Sequence, residues 1–92
     1  MEFIWDEGNI DKSYHKHGIL PMQAMSIFKD KNAIIFPDVK HSEEEPRYNI
    51  IGRDIEGIIL FAYFTTRNEK IRIIGCRKAN KKEEAKYISQ FV

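Results

Sequence analysis

Ile58-Ile59-Leu60-Phe61-Ala62-Tyr63-Phe64 is the longest apolar run in this chain of 92 residues. Both alternating sets of its side chains are apolar or aromatic, which is the pattern of a strand in the middle of a sheet, covered on both faces. At seven residues it is far short of the ~20 that a bilayer-spanning helix requires. Turns bound it: Asp54-Ile55-Glu56-Gly57 before it and Thr65–Glu69 after it. Arg47–Arg53 upstream and Lys70–Arg77 downstream read as its neighbours, and strands joined by such short turns pair antiparallel. Ala33-Ile34-Ile35-Phe36, β-branched and aromatic and closed by Pro37-Asp38, reads as a further strand. Val39–Pro46, with three consecutive glutamates, has no apolar periodicity and reads as a loop.

Helical signals lie outside this meander. After a short extended start at Glu2–Trp5, Asp6 is placed to cap a helix of about Glu7–His17, ended by His15, Lys16, His17 and Gly18. Pro21 opens a second helix with an apolar stripe of Ala24, Met25, Ile27 and Phe28 that stops near Lys29-Asp30. Asn80 caps a third over about Lys81–Phe91, whose Ala85, Tyr87, Ile88 and Phe91 line one face. Helices gathered before and after a meander indicate an α+β fold: an antiparallel sheet with two N-terminal helices and one C-terminal helix, in one domain over residues 1–92.

Composition excludes several classes. Hydrophobic residues are 42% and aromatics 12% of the chain, which is globular rather than disordered. The N-terminus has no basic stretch followed by a long apolar one, so a soluble, cytoplasmic protein away from membranes is expected. Cys76 stands alone, and neither it nor the histidines recur at ligand spacing, so no metal and no cofactor is expected. Glycine-rich phosphate loops, Cys-x-x-Cys and Gly-x-Ser-x-Gly are missing, which leaves a small-molecule enzyme without a motif.

The net charge of +1 is a cancellation: residues 1–66 hold 7 Lys/Arg against 11 Asp/Glu, while residues 67–92 hold 8 against 3. A basic last quarter on a near-neutral chain points to a polyanion or an acidic protein as partner. A ribonuclease working without metal needs cations on the phosphoryl oxygens and a group to move protons to and from the 2′-hydroxyl and the leaving oxygen. Arg47, Arg72 and Arg77 supply the first, because guanidinium meets phosphate through two parallel hydrogen bonds. His17 or Glu45 supplies the second, although His17 is also placed to end a helix. Lys16, Lys78, Lys81 and Lys82 are candidate contacts to the RNA backbone. Strict alternation along the last strand puts Ile71 and Ile73 on one face and Arg72, Ile74 and Cys76 on the other. Arg72, Arg77, Glu45 and Arg47 are expected to converge on one end of the sheet. A non-catalytic module gripping RNA or an acidic protein would want the same basic region.

Taken together, Phe3-x-Trp5-Asp6, Lys16-His17-Gly18, Ala24, Phe28-x-Asp30, Glu45-x-Arg47 with Gly52, Ile71-Arg72-Ile73-Ile74-x-x-Arg77-x-Ala79 and Glu83 with Tyr87 resemble the BrnT family of type II toxins. The resemblance spans about residues 3–87. It implies a RelE-like fold, endoribonuclease activity on mRNA, and neutralisation by a BrnA-like antitoxin that alone brings the pair to operator DNA. Gly75-Cys76 departs from the family pattern, where Ser-Ala is usual ahead of the arginine.

Overall fold

All of the apolar run but Ile58 lies in β4 (Ile59–Arg67), the central strand of a five-stranded sheet of order β1-β5-β4-β3-β2. The computed structural model describes residues 2–5, 16–42 and 45–92. Its remaining strands are β1 (Phe3–Ile4), β2 (Ile34–Pro37), β3 (Tyr48–Arg53) and β5 (Lys70–Lys78). Pairing is antiparallel from β2 through β5, as the short turns dictate for β3–β4 and β4–β5. The sheet as a whole is mixed, however, because β1 pairs parallel with β5, Phe3 opposite Ile71 and Ile4 opposite Arg72. An all-antiparallel sheet does not result: β1 reaches β5 through a long connection rather than a hairpin, which leaves its direction free.

Register separates the two faces, since cross-strand partners point the same way. On one face Ile50, Leu60, Ala62 and Ile73 are fully buried, with Phe64 and Cys76 nearly so. Over them pack α1 (Pro21–Ser26), with proline in its first turn as the sequence predicts, and the 3-10 turn Ile27–Lys29. Phe28 stands edge-on to Phe3 at 5.3 Å and to Phe64 at 5.0 Å. Gly52 admits this close approach, because a Cβ there would lie 3.1–3.2 Å from the Ile27 carbonyl oxygen and the Ile27 and Ala33 Cβ atoms. The predicted helix over Glu7–His17 lies outside the described residues except for Lys16 and His17, which are helical and are followed by Gly18 at φ +68°.

The other face is covered only in part, which corrects the expectation of a strand enclosed on both sides. It is met by α2 (Lys81–Ile88), extended by a 3-10 turn to Phe91. Asn80 caps it as expected: its side chain accepts from the Glu83 amide while Glu83 accepts from the Asn80 amide, both at 2.9 Å. Of the four apolar residues expected on its inner face only Tyr87 is buried; Ala85, Ile88 and Phe91 are exposed. Polar and cation–π contacts attach the helix instead. Tyr87 donates to Asp30 at 2.6 Å, Arg77 holds Glu83, Arg53 lies 5.4 Å from the Tyr87 ring centroid, and Lys86 lies 3.8 Å from that of Phe36.

Asp30 is the joint between the two layers. It accepts from the Tyr87 hydroxyl and from the Arg53 and Asn32 amides. Burial alone would raise its pKa, but these bonds together hold it below the ordinary 3.8. A carboxyl with a lowered folded pKa contributes stability above its unfolded value and loses it as pH falls through the folded one. Acid unfolding is therefore expected to begin below about pH 4. Tyr87→Phe should cost about 1–3 kcal/mol of unfolding free energy at pH 7 and shallow that acid limb, as followed by urea titration at pH 3 and pH 7.

Candidate RNA-binding face

One extra residue in β5 decides which side chains share the open face. Tyr63 pairs with Gly75, but Phe64 pairs with Ile73, so Ile74 is a bulge with no partner on β4. Strict alternation fails there. Cys76 falls on the core face with Ile73, 2% exposed, and not beside Arg72 as alternation implies. Arg72 and Arg77, five residues apart, would face opposite ways on a regular strand. With the bulge both face away from the core, Arg72 opposite Thr65 and Arg77 opposite Phe61.

The arginines share a face but not an end. Four steps of β4 separate their partners, about 13 Å at ~3.3 Å per residue. At the hairpin end, Glu45 accepts from Arg67 Nε at 2.8 Å and Nη2 at 2.7 Å, and lies 4.0 Å from Arg72 Nη1. The Arg67 hydrogen bonds, with the charges of Arg67, Arg72 and Arg47 behind them, hold the Glu45 carboxyl below its usual range. At the other end Arg77 donates to Glu83 at 2.7 and 3.0 Å and stacks 4.4 Å over Phe61. These bonds raise the Arg77 pKa further, while Glu83 is held low against its own burial by Arg77 and the Asn80 amide. The basic last quarter is thus divided: Arg67, Lys70 and Arg72 at one end of the sheet, and Arg77, Lys78, Lys81 and Lys82 at the other.

Between them lies a cleft of about 440 Å3 lined by Asp38, His41, Arg47, Asn49, Phe61 and Tyr63. Asn49 and Tyr63 are cross-strand partners, so polar and aromatic side chains alternate along its floor. Among the described residues the Arg47 guanidinium has neither a hydrogen-bond nor an ion-pair partner, while its backbone is bonded on both sides. Of the sequence candidates only Arg47 lines the cleft; Arg72 lies on the same face opposite Thr65, Glu45 is held at the hairpin end by Arg67, and Arg77 stacks over Phe61 of the lining. His17 and Lys16 are exposed at the end of their helical turn and do not line it. Lys81 and Lys82 are exposed in the first turn of α2, and Lys78 borders a separate hollow with Arg53 and Glu84. Asp38, His41, Asn49, Phe61 and Tyr63 were missed. A signal existed for two of them, Asp38-x-x-His41 directly after the strand-closing Pro37, and for Phe61 and Tyr63 in the second parity of the apolar run.

The family model described as ribonuclease toxin, BrnT, of type II toxin-antitoxin system matches residues 5–83. The chain belongs to the BrnT family of ribonuclease toxins. The crystal structure of the Brucella abortus ribonuclease toxin BrnT shares the fold, with a TM-score of 0.67 at 24% identity over 88% of this chain and 99% of that one. No curated protein matches it in sequence. A toxin of a type II system acts beside an antitoxin protein, so this BrnT-family chain has RNA and an antitoxin as its partner classes. No described helix is long and apolar enough to cross a membrane. No group of three or more potential metal ligands occurs among the described residues.

Several residues that carry the family resemblance are framework. Asp30 and Tyr87 form one bond, Arg77 and Glu83 form another, and all four seat α2 on the sheet. The departure at Gly75 shapes the cleft floor. A Cβ at that position would overlap the Tyr63 hydroxyl and lie 2.5 Å from its Cζ, so the glycine is what lets the Tyr63 ring lie across β5. Gly75→Ala should displace that ring and cost about 1–3 kcal/mol through overpacking. The double variant with Tyr63→Ala should cost less than the two single changes added together, which a double-mutant cycle of urea unfolding measures.

Proposed function

We propose that this chain is a single RelE-like toxin domain acting in the bacterial cytoplasm as a metal-independent endoribonuclease that cuts mRNA, held in check by a BrnA-like antitoxin through which alone it reaches operator DNA. The observation that carries the reading is the open sheet face. It belongs to a ribonuclease-toxin family member, and it sets Arg47, whose guanidinium makes no hydrogen bond or ion pair among the described residues, beside Asn49, Phe61 and Tyr63 with Arg72 on the same face. Aromatic rings give bases a stacking surface, and guanidinium groups grip the phosphates that join them. Glu45 adds support, since a carboxylate already lies against Arg67 and near Arg72 and Arg47, where phosphoryl oxygens would find the same donors.

In this reading Arg47 and Arg72 stabilise the charge that grows on the phosphoryl oxygens during attack by the 2′-hydroxyl. Arg77 acts from further off, because its guanidinium is engaged by Glu83. The exposed Lys78, Lys81 and Lys82 extend the path of the strand, and Lys16 and His17 belong to its periphery. The competing reading, a module that binds RNA without cutting it, draws on the same pairing of Arg77 with Glu83 and Glu45 with Arg67, which occupies two of the groups nominated for chemistry.

Cleavage of a single-stranded RNA should proceed in EDTA and leave a 2′,3′-cyclic phosphate on the upstream fragment. Arg47→Ala or Arg72→Ala should lower the rate by about 10²–10³ with an unchanged circular dichroism spectrum. RNA that is bound but stays intact would establish the binding module instead. Affinity should fall with salt at a slope near −0.7 per phosphate contact. Replacing Lys81 and Lys82 should flatten that slope and leave the cleavage positions unchanged.

A further inference from the structure

Proton transfer is the part of the reaction that neither sequence candidate fills well. Glu45 is bonded twice by Arg67 and held in its ionised form, and His17 does not line the cleft. Cys76 faces the core, where burial pushes its thiol up to about 12. The cleft itself contains an imidazole. His41 Nδ1 lies 3.0 Å from Asp38 Oδ2 and 3.2 Å from Oδ1. An ionised carboxylate can only accept, so Nδ1 carries the hydrogen and Nε2 of the neutral ring keeps its lone pair.

The turn that carries this pair is clasped to Arg47, the residue that leads into β3. The Asp38 amide donates to the Arg47 carbonyl at 2.8 Å, the Arg47 amide donates to Ser42 Oγ at 3.0 Å, and the Ser42 hydroxyl donates to the Asp38 carbonyl at 2.6 Å. These bonds hold the backbone of the Asp38–His41 turn against that of Arg47, so imidazole, orienting carboxylate and guanidinium line one cleft, the shared placement on which general acid–base chemistry draws.

We infer that His41, oriented by Asp38, is the general base of the ribonuclease reaction, with Arg47 holding the phosphate it works beside. This rests on the ribonuclease reading above. His41 Nε2 takes the proton of the 2′-hydroxyl as that oxygen bonds to phosphorus. The bond from phosphorus to the 5′-oxygen breaks with its electron pair on the oxygen, which takes a proton from water. The hydroxide so formed removes the proton from His41, leaving a 2′,3′-cyclic phosphate, a 5′-hydroxyl and the neutral ring. The charged or titratable groups lining the cleft with His41 are Asp38 on its own turn, Arg47 at the entry to β3 and Tyr63 on β4.

The test compares wild type, His41→Gln and Asp38→Asn in EDTA on one oligoribonucleotide. Affinity is measured with the same sequence blocked by 2′-O-methyl groups, which binds without being cut. The His41 side chain is 57% exposed, so its replacement should leave the melting temperature in place. His41→Gln should lower kcat by about 10²–10⁴, keep the affinity for the blocked RNA within about twofold, and erase the acid limb of the pH–rate profile. Asp38→Asn should keep that limb and lower kcat, since the ring loses the carboxylate acceptor that orients it. Cleavage by wild type with His41→Gln equally active and its acid limb intact overturns the assignment and leaves the ribonuclease standing. RNA bound but never cut by wild type overturns the ribonuclease reading and the base with it. Should His41→Gln melt early, an undiminished kcat in Asp38→Asn overturns the assignment alone.

Discussion

One unpaired residue, Ile74, governs the division of this sheet into a core face and a charged face. Without it Cys76 would leave the core and Arg72 and Arg77 would point in opposite directions. The bulge places an uncharged, buried thiol among Ile50, Ala62 and Ile73 and sends both guanidinium groups to the side where water and ligands have access. A β-bulge ordinarily re-aims side chains and sharpens local twist. Here the re-aiming lies between the two arginines, so a change of pairing at one position alters the chemistry of the whole face.

That face is usable only because α2 covers part of it. The helix presents few apolar side chains to the sheet, and it is seated by Tyr87, by the Arg77–Glu83 pair and by cation–π contacts. Such attachments are local and directional, so they hold the helix over β2 and β3 without sealing the aromatic floor formed by Phe61 and Tyr63. A helix with a full apolar stripe would have gained more burial by spreading over those rings.

Reading along the chain succeeded where a local rule acts alone. Pro21 opened a helix, Asn80 capped one, and the seven-residue apolar run took the central position in the sheet. It failed where the outcome depends on partners distant in sequence. The parallel pairing of β1 is set by a long connection, and the bulge is visible only once β4 and β5 are laid side by side. The second parity of the apolar run looked like core because Phe61 and Tyr63 are aromatic, yet aromatics serve equally as a half-exposed floor beneath cations. The Asp38–His41 pair escaped notice because an acidic loop without periodicity offers no face on which to place a side chain.

The charge asymmetry shows the same limit in another form. Eight basic residues in the last quarter look like one field in sequence, but a nine-residue strand carries them to opposite ends of the sheet. At each end a glutamate meets a guanidinium, Glu45 with Arg67 and Glu83 with Arg77, so the tightest pairings lie at the margins, while Arg47 feels the Glu45 charge but makes no ion pair within contact distance of a described residue. A phosphate meeting Arg47 therefore breaks no ion pair among the described residues, whereas at either margin it must displace a carboxylate held by two hydrogen bonds. Competition therefore favours the centre, where the turn bearing His41 and the Arg47 guanidinium line one cleft.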